Sequence, residues 1–348
     1  MRIHIEVTGM RGKSGLVTFL NNILHDRNIK TLAKVTGYKP YYIYNNKRYD
    51  IIRRFKNYFI EEENRQILNL NEYDVAIFEN PGITRYTMTA FSKLFRPDIM
   101  VIPNIRYEHL AGLGDTKKQI IEAFAMHLKY CKTAIVNEDI PYKDIFDTYA
   151  KRYNINLLYV DCSGKDIVDE IVNTYINIAN VVLETLGYEK LKQSEVSNLR
   201  RDVTANFTFR KSDKYEIEYF DASKINDVES MLKAFNYLSK QTTKKFAIIS
   251  YFRRDRLDRT FTFQALLTKW ALHPQVHSIY LAGHYYQPIL RQLQSIDKYR
   301  FSRINKHNIE FVLNTIHKMN LALLLTVNSI SKFMDRIREM LGGENENI

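Results

Sequence analysis

Short apolar runs alternate along this chain with longer stretches in which apolar residues return at helical spacing. Residues 2–7, 30–36, 74–79, 98–103, 133–137 and 156–160 read as strands, several of them continuous runs such as Val75-Ala-Ile-Phe78 of the kind buried on both faces of a parallel sheet. Stretches 13–27, 116–130 and 167–186 have the helical period, so the first half reads as repeated strand–helix units. A second run follows, with strands at 215–220, 246–251, 278–282 and 322–327 and helices at 227–238, 260–271 and 330–341. Between them, residues 190–214 are polar and weakly periodic. The expected organisation is therefore α/β throughout: a parallel-sheet domain over 1–200, a linker over 201–214 and a smaller Rossmann-like domain over 215–348.

Composition narrows the class without naming a function. The 348 residues are 45% hydrophobic and 26% charged, ordinary for a folded chain and enough for two cores. No apolar run approaches the roughly 18 residues that cross a bilayer as a helix. The first residues run directly into a strand with no apolar signal region, and Cys131 and Cys162 suffice for neither a disulfide framework nor a metal quartet, which together predict a cytoplasmic location. The net charge of +12 favours polyanionic partners. Nucleic acid is the weaker candidate among these, because most of the 24 tyrosines and 19 phenylalanines lie in apolar runs and no zinc finger or RNA-recognition motif is present.

The most specific chemistry is Val7-Thr-Gly-Met-Arg-Gly-Lys-Ser14, at the expected junction of the first strand and first helix. Gly9 and Gly12 permit positive φ and close backbone approach, so the N–H groups of the loop, Met10 and Arg11 included, can converge on phosphate oxygens. Lys13 would neutralise β- and γ-phosphates, and Ser14 supplies the hydroxyl that such loops place on nucleotide-bound Mg²⁺. Glu79 ends a buried strand, where a carboxylate calls for a compensating cation such as Mg²⁺. His109 is a weaker candidate for a second Mg²⁺. Arg253, Asp255, Arg256, Asp258 and Arg259 follow the strand at 246–251, at the edge where open sheets bind ligands.

The loop is two residues shorter than the usual P-loop, and in this form it resembles the Gly-x-x-Gly-Lys-Ser/Thr loop of the Mur ligase superfamily. Gly9-Met-Arg-Gly-Lys-Ser14 is most similar to the loop of the poly-γ-glutamate synthase ligase subunits, the capsule-making branch. The likeness continues through Lys34-Val-Thr-Gly37, Phe78-Glu79, Pro103-Asn104, Glu108-His109, Gly114-Asp-Thr116 and Glu122-Ala-Phe124, then Tyr219 to Asp227 and Arg253 to Arg259. It implies an ATP- and Mg²⁺-dependent acid–amine ligase working through an acyl phosphate, with glutamate or a γ-glutamyl chain as substrate. It further implies Ser14, Glu79 and His109 at the metal, and Lys13, Lys224 and Arg256 among the catalytic groups. Lys224 would reach the γ-phosphate or acyl phosphate when the domains close. Asp221, Asn226, Arg253, Asp255 and Arg259 would join the glycine loop in holding ATP, Asp221 on the ribose or on Lys224.

Several positions depart from the capsule-ligase pattern. Tyr107-Glu-His-Leu-Ala111 lacks carboxylates usual around the metal, Asn328-Ser-Ile-Ser-Lys332 replaces a late histidine motif, and Phe124 stands where other Mur ligases carry a carbamoylated lysine, so no carbamate is expected. These changes motivate an alternative, an ATP-binding subunit that regulates a membrane-associated complex without making amide bonds. Capsule ligases commonly open with a membrane-anchoring segment and none is found here. The expectation is a soluble protein, or one docked at the inner membrane face on membrane-protein partners of a capsule synthase, with self-association left open.

Overall fold

The computed structural model describes residues 2–342 except 38, 54–58, 71, 83, 107–109, 256 and 328–330, with the side chains of residues 110, 111 and 258 also outside the description. The chain divides into two compact units, Met1–Arg200 and Arg201–Ile348.

In the first unit the order is β1 (Ile3–Val7), α1 (Lys13–His25), β2 (Thr31–Val35), β3 (Tyr41–Tyr44), β4 (Lys47–Asp50), α2 (Ile60–Leu70), β5 (Val75–Glu79), α3 (Arg85–Phe95), β6 (Ile99–Ile102), α4 (Leu110–Leu113), α5 (Lys117–Ala125), β7 (Thr133–Asn137), α6 (Lys143–Tyr153), β8 (Asn156–Val160) and α7 (Ile167–Thr185). Helix α8 (Gln193–Ala205) runs across the division. Among the described residues the strands form one sheet in the order β4-β3-β2-β5-β1-β6-β7-β8, parallel except for the β2–β3–β4 meander. Strand β1 is central. The chain builds β2 and β5 on one side of it and β6 to β8 on the other, so the strand order reverses at β1 and leaves a crevice at its carboxyl end.

Alternation along β1 divides the core. Ile5 and Val7 face Leu16, Val17 and Leu20 of α1 and Ile178 and Val182 of α7, while the opposite face of the sheet meets α3 through Met88 and Met100. The helix starts follow local chemistry. Thr84 and Thr87 make a capping box for α3, Thr116 and Gln119 make one for α5, and the Asp166 carboxylate accepts from the Val168 and Asp169 N–H groups at the start of α7. Helix α5 ends at Ala125, earlier than its periodicity suggests, and a short 3₁₀ turn, Leu128–Tyr130, carries the chain toward β7.

The second unit contains β9 (Arg210–Ser212), β10 (Ile217–Asp221), α9 (Val228–Leu238), β11 (Phe246–Phe252), α10 (Leu257–Ala271), β12 (Val276–Gly283), α11 (Tyr286–Ile296), β13 (Phe301–Arg303), α12 (Ile309–Lys318), β14 (Ala322–Val327) and α13 (Lys332–Met340). Its sheet order among the described residues is β13-β12-β11-β14-β10-β9, parallel but for β9. One face packs Phe235, Phe246, Phe263 and Trp270, the other Ile249, Leu313, Leu325 and Met334. Both units are thus parallel-dominated α/β layers, the class read from the chain. The stretch 201–214 is more structured than a linker, holding the end of α8 and the antiparallel edge strand β9. Its polarity reflects solvent exposure of these elements and does not mark a lack of structure.

One buried group in the first unit responds to pH. Glu6 on β1 is fully buried, accepts from Asn80 Nδ2 at 2.7 Å and Ser92 Oγ at 2.8 Å, and has no partner at Oε2 among the described residues. Burial pushes its pKa from 4.5 up to about 7, against the pull of those two donors. The folded chain therefore holds a proton that the unfolded chain releases, and the associated stability, full below 4.5, is lost as pH rises through about 7. Glu6→Gln, which keeps the acceptor and removes the titration, should flatten this dependence and raise Tm more at about pH 8 than at about pH 5. Parallel melting profiles for the two proteins would contradict this.

Candidate functional site

At the carboxyl end of β1, the register sets Val7 beside Glu79 of β5 on one side and beside Val101 of β6 on the other. The loop from Gly9 to Gly12 leaves β1 there and turns into α1. Its two glycines have φ of +120° and +75°, which side-chain-bearing residues rarely adopt. A Cβ on Gly9 would also stand 2.8 Å from the Asn104 carbonyl oxygen, so the loop lies directly on the segment that follows β6.

Asn104 fixes the loop from that side. The Arg11 N–H donates to Asn104 Oδ1 at 2.9 Å, Asn104 Nδ2 donates to the Arg11 carbonyl at 2.9 Å, and the Met10 N–H donates to the Asn104 carbonyl at 3.3 Å. One primary amide thus satisfies both backbone groups of Arg11. From the other side, the Tyr175 hydroxyl of α7 donates to the Gly12 carbonyl at 3.2 Å. Neither contact has a local sequence signal, since each joins residues far apart in the chain.

Lys13 and Ser14 open α1. The Lys13 side chain is buried and its Nζ donates to the Gly9 carbonyl at 2.7 Å, so the cation lies folded over the loop. Ser14 Oγ donates to Glu79 Oε2 at 2.8 Å. The same carboxylate oxygen accepts from the Thr36 N–H at 3.1 Å, and Thr36 Oγ1 donates to the Glu79 carbonyl at 3.2 Å. Burial raises the Glu79 pKa, opposed by the positive charge of Lys13, by the Ser14 and Thr36 hydrogen bonds and by the charge of Lys34. Lys34 on β2 is itself fully buried, at 2.7 Å from Glu63 of α2, and burial lowers its ammonium to about 8 in spite of that partner. Arg53 grips Glu63 through two bonds of 2.9 Å.

The residues expected at the phosphate loop and metal are therefore together in one place: Gly9, Met10, Arg11, Gly12, Lys13, Ser14 and Glu79. A hydroxyl beside a buried carboxylate is a donor set suited to Mg²⁺, which takes few protein oxygens and retains most of its waters. His109 and Arg256 lie outside the described residues.

In the second unit, Asp221, Lys224, Asn226, Arg253, Asp255 and Arg259 all follow or end strands β10 and β11, at the carboxyl edge of that sheet. Arg253 forms a fork onto Asp255, with Nε to Oδ1 at 2.8 Å and Nη2 to Oδ2 at 2.6 Å. Asp221 is already engaged: Arg338 Nε of α13 donates to its Oδ2 at 2.7 Å, and the Ser223 N–H donates to its Oδ1 at 3.0 Å. Its carboxylate therefore shapes the turn from Asp221 to Lys224. The Asn226 amide oxygen is buried with no hydrogen-bond partner among the described residues, an acceptor suited to a ligand hydroxyl or N–H. Tyr175 and Arg338 are the additions that the chain alone did not reveal, and Asn104, noted there only within the Pro103-Asn104 likeness, gains its role as the anchor of the loop.

Comparison with known proteins gives two family models. One described as the Mur ligase middle domain matches residues 7–195, and one described as the poly-gamma-glutamate synthase CapB C-terminal domain matches residues 207–344. The capsule biosynthesis protein CapB of Bacillus anthracis is 25% identical over 278 residues, 75% of this chain and 59% of that protein. The PGA synthase CapB of Bacillus subtilis (strain 168) is 25% identical over 281 residues, 75% of this chain and 70% of that protein. The chain thus spans 59% and 70% of the lengths of these two curated relatives. Among solved structures, the Mycobacterium tuberculosis folylpolyglutamate synthase complexed with ADP and AMPPCP has a TM-score of 0.70 at 12% identity, over 99% of this chain and 92% of that one. The MurF ligase of Thermotoga maritima in complex with ADP has a TM-score of 0.67 at 17% identity, over 98% and 79%. At these identities the structures show the fold alone.

The amide of Asn104 should be worth the two hydrogen bonds it makes to Arg11. Replacing it with Ala is expected to lower the unfolding free energy by about 1–3 kcal/mol, read from urea denaturation. A loss within about 0.3 kcal/mol would mean that the loop holds its shape without it.

Proposed function

Because this chain belongs to the Mur ligase family, we propose that it is an ATP- and Mg²⁺-dependent ligase that joins a carboxylic acid to an amine. The observation that carries this reading is the contact between Ser14 and Glu79, 2.8 Å apart at the mouth of a glycine loop whose lysine is buried within it. Ser14 and Glu79 would hold Mg²⁺, which when bound supplies charge neutralisation at the phosphates. The loop N–H groups would orient the triphosphate, and Lys13 would exchange the Gly9 carbonyl for a phosphate oxygen.

In this reading a carboxylate oxygen of the acid attacks the γ-phosphorus and ADP leaves, giving an acyl phosphate. The amine then attacks the acyl carbon, phosphate departs, and a proton is lost from nitrogen. No protein nucleophile is needed, so the chain contributes positioning and electrostatics. Lys224, Asn226, Arg253, Asp255 and Arg259 are the second unit's candidates for contacting phosphate, ribose or substrate carboxylate, with His109 and Arg256 retained from the family pattern. The match to the CapB C-terminal domain supports glutamate or a γ-glutamyl chain as the acid, and the net charge of +12 suits such a polyanion. Among the described residues no helix is long and apolar enough to cross a membrane. Docking on membrane-protein partners is part of the same proposal.

Phosphate release measured across the amino acids, with and without a γ-glutamyl oligomer, tests the activity. Glutamate-dependent release is expected, falling by about 100-fold or more in Lys13→Ala. ATP binding with no release for any acid would instead indicate a non-catalytic nucleotide-binding subunit. The raised pKa of Glu79 adds a pH signature, because its ionised form is the metal ligand. Mg²⁺-dependent nucleotide affinity should weaken as pH falls, beginning above the ordinary carboxylate range, and Glu79→Gln should remove both the Mg²⁺ dependence and this pH response. Unaltered Mg²⁺ dependence in that variant would move the metal elsewhere.

A further inference from the structure

Gly15 has no conformational reason to be glycine. It lies in the first turn of α1, without the positive φ of Gly9 and Gly12, where alanine ordinarily strengthens a helix. Its surroundings supply a different reason. A Cβ at Gly15 would stand 2.1 Å from the Tyr175 hydroxyl oxygen and 3.2 Å from Cζ of that ring, so the phenol occupies the space a side chain would need. The ring is half-buried and packs at a tilt on Phe19, one turn further along α1, with centroids 5.6 Å apart.

From that place the hydroxyl donates to the Gly12 carbonyl at 3.2 Å, the same oxygen that accepts the Leu16 N–H at 2.9 Å. A peptide group is planar and trans, so the Gly12 carbonyl and the Lys13 N–H point in opposite directions. Holding the carbonyl along α1 and toward α7 therefore turns the Lys13 N–H the other way, out of the amino end of the helix. Gly12, with φ of +75°, has no Cβ to restrict this peptide, so an external restraint has more to do here than at other helix starts.

We propose that Tyr175 is a positioning residue for the phosphate loop and that Gly15 is glycine to admit it, the two forming a matched pair that fixes the Gly12–Lys13 peptide for anion binding. The inference rests on the reading of this loop as a nucleotide seat. It makes the first turn of α1 and the middle of α7 one unit in nucleotide recognition, although they are 160 residues apart in the chain.

A double-mutant cycle tests it, with MgAMPPNP affinity by calorimetry as one readout and amide exchange at Leu16 in the nucleotide-free protein as the other. Tyr175→Phe keeps the ring and removes one hydrogen bond, and should weaken nucleotide binding by about 3- to 10-fold and speed Leu16 exchange. Gly15→Ala displaces the hydroxyl and should weaken binding at least as much, the reverse of what helix propensity predicts. Gly15→Ala in the Tyr175→Phe background should cost much less than it does alone, because the hydroxyl is gone and only the ring-edge contact, Cζ at 3.2 Å, remains to give. Tm values close to wild type would separate the affinity loss from general destabilisation. Tyr175→Phe within twofold of wild type with unchanged Leu16 exchange, or losses that simply add, would overturn the pairing. A wild-type protein that binds no nucleotide would refute the functional reading, while the exchange measurement would still decide whether the restraint exists.

Discussion

A carboxylate held out of water at the end of a buried strand is the constraint on which the first unit's site depends. Glu79 sits where β5 meets the turn of β1 into α1, and isolated there it would take up a proton. Besides the charge of Lys34, three neighbours resist this: the Lys13 ammonium, the Ser14 hydroxyl and the Thr36 N–H. All three come from elements fixed by the sheet order, since β2 and β1 are the two strands flanking β5. The arrangement is balanced yet leaves capacity. Lys13 rests on a carbonyl dipole, a weaker partner than a phosphate, and the Ser14 hydroxyl is spent on a contact that a cation would replace.

The loop beside this carboxylate is restrained from two directions. Asn104 answers both backbone groups of Arg11, and Tyr175 holds the Gly12 carbonyl. Donors that stabilise developing charge act most strongly when they are already in place, because reorienting dipoles at the moment of reaction costs free energy. Two glycines supply the conformations the loop needs and also the freedom to leave them. A glycine loop is thus a good anion seat only to the extent that other residues remove that freedom, and here the task falls to residues that follow β6 and that lie within α7.

The parts of the site that were legible in the chain are those whose physics is local. Gly9 and Gly12 announce positive φ, Lys13 and Ser14 follow them at helix-start spacing, and Glu79 ends an apolar run. Asn104, Tyr175 and Arg338 act over 93, 163 and 117 residues; Asn104 stood out only through the family likeness, with no role attached, and nothing near Tyr175 or Arg338 in the chain distinguishes them from ordinary polar side chains. The same limit explains the fold. Strands buried on both faces stood out as apolar runs, whereas β4, exposed at all four positions, and the solvent-facing helix α8 did not. The β3–β4 turn carries a local signal in Asn45 and Asn46, both at positive φ, but the mixed composition of the flanking strands hides it.

The second unit shows a different use of charge. At its carboxyl edge Arg253 is forked onto Asp255, and Arg338 pairs with Asp221 through Nε and with Asp335 through Nη1, so these guanidinium groups are neutralised within their own neighbourhood. Such a pairing is not a strong lock where it meets solvent: an exposed ion pair is worth about 0–1 kcal/mol, and Asp255 is 60% exposed. Exchanging one carboxylate for another would gain Arg253 almost nothing. A phosphate group, with a charge of about −1.5 to −2 and three acceptor oxygens, offers more than the carboxylate it displaces. Self-pairing of this kind therefore discriminates by charge density. In the proposed ligase it would favour the phosphates of a nucleotide or an acyl phosphate over a single carboxylate at Arg253. Arg338, partly buried and bonded to Ser223 as well as Asp221, lacks that exchangeability and serves to hold the turn that carries Lys224.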